Sequence, residues 1–168
     1  MSPCPTVTIL IGLPGSGKTT YLGQEVPPHE RSNCFDDFHA HSLDNTSTFT
    51  RSKHYEALST LLRRGRNCLI SDIEYCCTER LLDAERNLQA LAQELGIRIN
   101  IVRKYFENNP NWCRHNVVHR YSVRAERNYL QELQNVDRLS RVYDCPAEGA
   151  IPIKSCCSKM YDLENLIR

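Results

Sequence analysis

Apolar residues along the chain fall into short runs and helical stripes that alternate. Residues Thr6 to Ile11 (TVTILI) form a β-branched run, which predicts a buried parallel strand covered on both faces. Lys18 to Gln24 predicts a helix, broken by Val26, Pro27, Pro28 and His29. Asn33 to Phe35 is a weak second strand ending at Asp36 and Asp37. His41 to Thr50 is rich in Ser, Thr and Asn and reads as a loop. Tyr55, Leu58, Leu61 and Leu62 recur at helical spacing, predicting a helix over Ser52–Arg64 stopped by Gly65. Asn67 to Ser71 is another short buried strand, ending at Asp72.

Thr78 is placed to cap a helix carrying Leu81, Leu82, Leu88, Leu91 and Leu95, with Gly96 at its end. Ile97 to Tyr105 alternates apolar and polar residues, as a strand near a sheet edge does. Asn109 and Pro110 open a basic helical stretch reaching towards Arg141, with a break expected near Tyr121 and Ser122. Ala150 to Ile153 reads as a last strand, which Pro152 assigns to an edge. Tyr161 to Ile167 reads as a closing helix. Strands alternating with helices imply a parallel sheet with helices on both faces. No repeat, low-complexity tract or linker interrupts residues 1–168, so one domain is expected.

Between the first strand and its helix lies Gly12-Leu13-Pro14-Gly15-Ser16-Gly17-Lys18-Thr19, followed by Thr20. This meets the Gly-x-x-x-x-Gly-Lys-Thr pattern in full and in its proper setting. Glycines let the backbone bend so that successive N–H groups point at phosphate oxygens. The start of the helix adds its positive end. Lys18 supplies a charge for the β and γ phosphates, and the Thr19 hydroxyl can hold Mg²⁺. Gly12, Pro14, Gly15, Ser16, Gly17, Lys18, Thr19 and Thr20 are therefore the candidate nucleotide-binding residues. The expected fold is an α/β P-loop NTPase three-layer sandwich, with a mostly parallel sheet of about five strands and an arginine-bearing helical lid.

In an open parallel sheet, ligands sit at the carboxyl ends of the strands. Here those ends carry the glycine loop, the Asp36–Asp37 pair and Asp72. Phosphoryl transfer needs a carboxylate to orient the acceptor hydroxyl and take its proton. Asp36 is the first candidate for that role and Asp37 the second. Asp72 can hold Mg²⁺, directly or through water, or position the acceptor. The plainer alternative for all three is a turn or helix cap.

Composition narrows the picture. The 168 residues are 40% hydrophobic and 24% charged, with a formal net charge of +1. Any nucleic-acid contact must therefore come from a local basic patch. The nine cysteines are odd in number and contain no Cys-x-x-Cys pair. They read as reduced thiols of a soluble, cytoplasmic protein, with no structural zinc. The apolar run Val7–Ile11 is too short for a signal core or a membrane span.

Basic residues gather late in the chain, at Arg103, Lys104, Arg114, Arg120, Arg124, Arg127 and Arg138, with His115 and His119. Acids are fewer there: Glu107, Glu126, Glu132 and Asp137. Arg114 and Arg120 lie where a closing lid would present charge to a transferring phosphate. For any single arginine, a solvated helix face is the plainer reading. Trp112, Tyr121 and Tyr129 are interleaved with them and can stack on a base or sit in the core.

Taken together, the glycine loop with Thr20, the stretch Phe35-Asp36-Asp37-Phe38, Leu69-Ile70-Ser71-Asp72 and Thr78-Glu79-Arg80 resemble the phage-type polynucleotide 5′-hydroxyl kinases. Trp112-Cys113-Arg114-His115-Asn116 with Arg120 resembles that family's lid. The resemblance implies transfer of the ATP γ-phosphate to a nucleic-acid hydroxyl, with ATP and Mg²⁺ as cofactors. Asp36 takes the family's general-base position, Lys18 and Thr19 its phosphate and Mg²⁺ positions, and Asp72 its second acid. Catalytic roles are thus expected for Asp36, Lys18 and Arg120, and acceptor binding for Asp37, His39, Asp72 and Arg114. Where the family has arginines around its acidic pair, this chain has Phe35 and His39. In the lid they fall on or beside His115 and His119. A neutral imidazole holds phosphate less firmly than a guanidinium. The acceptor thus stays open between a 5′-hydroxyl of DNA or RNA, a hydroxyl on a modified DNA base, and a nucleoside or sugar. A nucleotide-binding switch or adaptor is the alternative from another class, although the chain lacks an Asn-Lys-x-Asp element.

Overall fold

The computed structural model describes residues 4–36, 38, 48–124 and 129–156, without the side chains of 48–53, 123 and 124. Asp37, His39, Arg127, residues 41–47 and the expected helix Tyr161–Ile167 lie outside them. Among the described residues, the strands and α-helices follow in chain order as β1 (Thr6–Ile11), α1 (Lys18–Gln24), β2 (Cys34–Phe35), α2 (Thr48–Arg63), β3 (Cys68–Ser71), α3 (Thr78–Glu94), β4 (Asn100–Tyr105), α4 (Pro110–Arg124) and α5 (Tyr129–Ser140).

The strands form one four-stranded sheet in the order β2-β3-β1-β4, parallel throughout. β1 sits between β3 and β4, with Val7 level with Cys68 and Ile101, and Leu10 level with Ser71 and Lys104. The period of two along each strand separates two cores. Val7, Ile9, Ile11, Cys68 and Ile70 face a large cluster completed by Leu58 and Leu62 of α2, Leu81, Ala84 and Leu88 of α3, Cys113 and Val117 of α4, and Val136 and Leu139 of α5. Leu10 faces a smaller one with Leu22, Val26 and Phe106. Ile9, Leu58 and Leu88 are fully buried, and each such side chain stabilises the fold by about 1.5–3 kcal/mol.

Several boundaries depart from expectation. The fifth strand is reduced to one parallel bridge, Phe106 with Ile151. Ile151 N–H donates to Tyr105 O at 2.7 Å, and the Ile151 carbonyl accepts from Glu107 N–H at 2.9 Å. Pro152 has no N–H, and Ile153 N–H turns to the Glu107 carboxylate at 3.3 Å, so the ladder stops. α2 begins at Thr48 rather than Ser52, because a Ser/Thr-rich stretch suits a helix start as well as a loop. Cys77, not Thr78, occupies the cap position of α3, with no side-chain cap bond. β4 begins at Asn100, whose N–H donates to Pro5 O at 2.9 Å; Pro5 offers no N–H to extend the pairing. α4 runs past Tyr121 and Ser122 to Arg124, the Ser122 hydroxyl donating back to His119 O at 2.7 Å.

Tyr143, buried, ties the carboxyl ends of β1 and β4 together: its hydroxyl lies 3.0 Å from Ile11 O and 2.5 Å from Phe106 O. Because every strand runs the same way, the glycine loop, Asp36 and Asp72 emerge at one edge of the sheet.

Candidate functional site

The loop after β1 closes on itself through Ser16 N–H donating to Leu13 O at 3.1 Å. Gly15 and Gly17 both have positive φ, at 77° and 98°, a region that disfavours other residues. At Gly15 there is a second constraint, since a Cβ would stand 2.4 Å from Cys113 O in α4. Among the described residues, the backbone N–H groups of Gly15, Gly17, Lys18, Thr19 and Thr20 donate to no protein acceptor. They form a run of unspent donors around the loop.

Lys18 is buried at the start of α1. Its ammonium donates to Gly12 O at 2.7 Å and Leu13 O at 3.0 Å. Burial pushes its pKa down, while the nearby carboxylates of Asp36 and Asp72 act the other way. The two aspartates thus lie near enough to the ammonium to act on it.

Asp36 joins two elements. The Thr19 hydroxyl donates to one carboxylate oxygen at 2.7 Å, and the Ser71 hydroxyl donates to the other. The backbone beyond Asp36 is held to β3 by Phe38 N–H donating to Ser71 O at 2.8 Å. Asp72 is buried, and one of its oxygens accepts from Glu74 N–H at 2.7 Å, capping the 3-10 helix Ile73–Cys76. That helix sets Tyr75, whose hydroxyl donates to Phe38 O, and the buried Cys76. Burial raises the Cys76 thiol to about 12, so it stays protonated beside the loop.

The arginines expected in a lid are spoken for by carboxylates. Arg114 donates to Asp137 from Nε at 2.8 Å and from Nη2 at 2.5 Å, and Arg120 pairs with Glu132. Both pairs clamp α4 to α5. Arg103 grips Glu85 through two bonds at 2.5 and 2.7 Å, and Arg138 pairs with Glu74 at 2.5 Å. Lys104 donates to Tyr21 Oη at 2.8 Å. Among the described residues, Arg103, Arg114, Arg120 and Arg138 are therefore not bare cations. Tyr121 and Tyr129 stack on each other, with ring centroids 4.1 Å apart. Trp112 packs against the main core and edge-on to His115. His115 is buried, and burial, with His119 nearby, lowers its pKa and favours the neutral ring.

The structure thus brings together Lys18, Thr19, Asp36 and Asp72. Sequence reasoning missed two members of this edge. Ser71 stands in the Leu69–Asp72 stretch and Asn116 in the Trp112–Asn116 stretch, but the sequence assigns neither a role of its own. Among the described residues, no three His, Cys, Asp or Glu side chains gather into a metal-holding group, and no helix is long and apolar enough to cross a membrane. The Thr19 hydroxyl and the Asp36 carboxylate nevertheless suit Mg²⁺, which takes one or two protein oxygens and leaves the remaining positions to water and phosphate. Comparison with protein-family models gives no match, and comparison with curated proteins gives none either.

Proposed function

We propose that the chain is an ATP-dependent kinase of the P-loop class that transfers the γ-phosphate to a hydroxyl acceptor. One observation carries this reading: unspent loop amides, a buried ammonium and the Thr19–Asp36 contact converge at one edge of a parallel sheet. The amides of Gly15, Gly17, Lys18 and Thr19 bind phosphate oxygens, and Lys18 exchanges its carbonyl partners for the β and γ phosphates. Thr19, with Asp36 or Asp72, would hold Mg²⁺, which supplies charge neutralisation along the triphosphate. Asp36 accepts the proton of the acceptor hydroxyl as its oxygen bonds to the γ phosphorus. The bond to the β–γ bridging oxygen breaks, and ADP leaves.

A nucleic-acid hydroxyl is the acceptor that the motif order favours. The second reading, a small-molecule acceptor such as a nucleoside or sugar, gains from the four arginines engaged by carboxylates and from the buried, neutral His115. Salt separates the two, because a polynucleotide releases counterions on binding and a small neutral acceptor does not.

The test uses γ-labelled ATP with free-5′-hydroxyl oligonucleotides, nucleosides and sugars, alongside MgATP calorimetry. Wild-type protein transfers label, and Lys18→Ala loses both binding and transfer. Asp36→Asn keeps MgATP affinity while turnover falls about 10²–10⁴-fold. Folded wild-type protein without magnesium-dependent ATP affinity would end the reading. Full turnover in Asp36→Asn would remove Asp36 from the base role.

A further inference from the structure

Asn116 lies in the middle of α4 and is 9% exposed. Its carboxamide joins three parts of the chain. Nδ2 donates to Gly15 O at 2.9 Å and to Lys154 O at 3.0 Å. Oδ1 accepts from Cys156 N–H at 3.0 Å. Both amide protons and the oxygen are in use, so no other residue of similar size reproduces the set.

The bond to Gly15 falls at a decisive peptide. The unit between Gly15 and Ser16 is planar, and it is held at both ends. Its carbonyl accepts from Asn116, and its N–H donates to Leu13 O at 3.1 Å. Fixing this plane turns the flanking N–H groups of Gly15 and Gly17 away from protein acceptors. Without the Asn116 anchor, Gly15, with its φ of 77°, is free to rotate. The loop then samples shapes in which its donors do not converge.

We infer that Asn116 is a positioning residue for the glycine loop. It sets triphosphate affinity from α4, and it makes residues 154–156 part of the nucleotide site. The inference rests on the nucleotide reading above, and it is separable from it. The reacting groups stay on α1 and just beyond β2, so Asn116 governs binding of the nucleotide rather than the chemical step.

Asn116→Asp is nearly isosteric, removes both amide donors and sets a carboxylate against two carbonyls. Asn67→Ala is the matched structural control. Asn67 Oδ1 accepts from Thr6 N–H at 2.9 Å at the opposite end of β1. The expected result for Asn116→Asp is a rise of about tenfold or more in the MgATP dissociation constant. KM for ATP rises with it, while acceptor KM is unchanged and kcat stays within a few-fold. Asn67→Ala alters only the melting temperature. Wild-type binding with an unchanged constant in folded Asn116→Asp overturns the inference but leaves the nucleotide reading standing. Absence of binding in the wild type overturns both. If Asn116→Asp does not fold, side-chain amide resonances of the full wild-type chain decide. The Asn116 pair shifts on MgATP addition while the Asn67 pair does not; an unmoved Asn116 pair overturns the inference.

Discussion

Replacing Gly15 and Gly17 by alanine, one at a time, separates backbone strain from the seating of α4 on the glycine loop. Both positions have positive φ, 77° and 98°. Forcing alanine there costs about 1–2 kcal/mol, partly offset by about 0.4–1 kcal/mol from the stiffer unfolded chain. At Gly17 nothing lies within 4 Å of the added methyl, so the net loss is about 0.5–1 kcal/mol by those terms. At Gly15 the methyl would meet Cys113 O at 2.4 Å and Val117 Cγ2 at 3.0 Å. A backbone carbonyl inside a helix cannot swing away, so α4 or the loop must move, at a further cost of about 1–3 kcal/mol. The expected order is wild type, then Gly17→Ala, then Gly15→Ala. For a domain of this size each kcal/mol shifts the melting temperature by roughly 2–4 °C. Urea titrations with matched m-values and thermal melts measure both variants. Equal stability of Gly15→Ala and Gly17→Ala, within about 0.5 kcal/mol of the error expected of such comparisons, would refute the contact between α4 and the loop.

Two further outcomes follow from the ion pairs and the buried thiols. In a double-mutant cycle on Arg114→Ala and Asp137→Ala, whose side chains are 32% and 49% exposed, urea unfolding should give a coupling of about 0.5–1 kcal/mol; strict additivity would mean that the pair does not clamp α4 to α5. Burial pushes the Cys68, Cys76 and Cys113 thiols from 9.0 up to about 12. Unfolded thiols therefore lose protons before folded ones. Stability should be level below about pH 9 and fall as pH rises towards 12, with a shallower fall in Cys113→Ala; a flat urea midpoint from about pH 8 to about pH 10.5 would contradict this.

Much of the architecture was legible because it depends on local pattern. The apolar run over Thr6–Ile11 and the Lys18–Gln24 helix emerge at the predicted bounds, since a covered strand and a glycine loop leave little choice of register. Where the outcome depended on distant partners, pattern was insufficient. Ala150–Ile153 looks like a strand until Ile153 N–H meets Glu107. The arginines between Arg103 and Arg138 look like a basic face until α3, α5 and the turn after β3 supply Glu85, Asp137, Glu132 and Glu74. All four carboxylates lie more than a helical turn from their arginines in sequence, and no periodicity announces the pairing. Ser71 and Asn116 stand in recognised motifs, but the sequence assigns them no role for the same reason, because their meaning lies in the Asp36 carboxylate and the Gly15 carbonyl.

Electrostatics at the loop links these findings. One buried ammonium, Lys18, shares the site with Asp36 and Asp72, so the protein charge gathered there does not offset a triphosphate. Binding must then draw on neutral amide dipoles and on a divalent cation, which makes strong magnesium dependence a requirement of the kinase reading. The same reasoning bears on the acceptor. A polynucleotide needs cations for its own phosphates, and Arg114 and Arg120 of α4 already hold Asp137 and Glu132. These pairs are partly exposed, so trading a carboxylate for a phosphate costs little. A polynucleotide acceptor gripped by Arg114 or Arg120 therefore loosens α4 from α5 as it binds, whereas a nucleoside or sugar leaves the clamp closed. If the Arg114–Asp137 coupling persists undiminished with saturating oligonucleotide, a polynucleotide acceptor gripped by Arg114 is ruled out, and the small-molecule acceptor becomes the stronger reading.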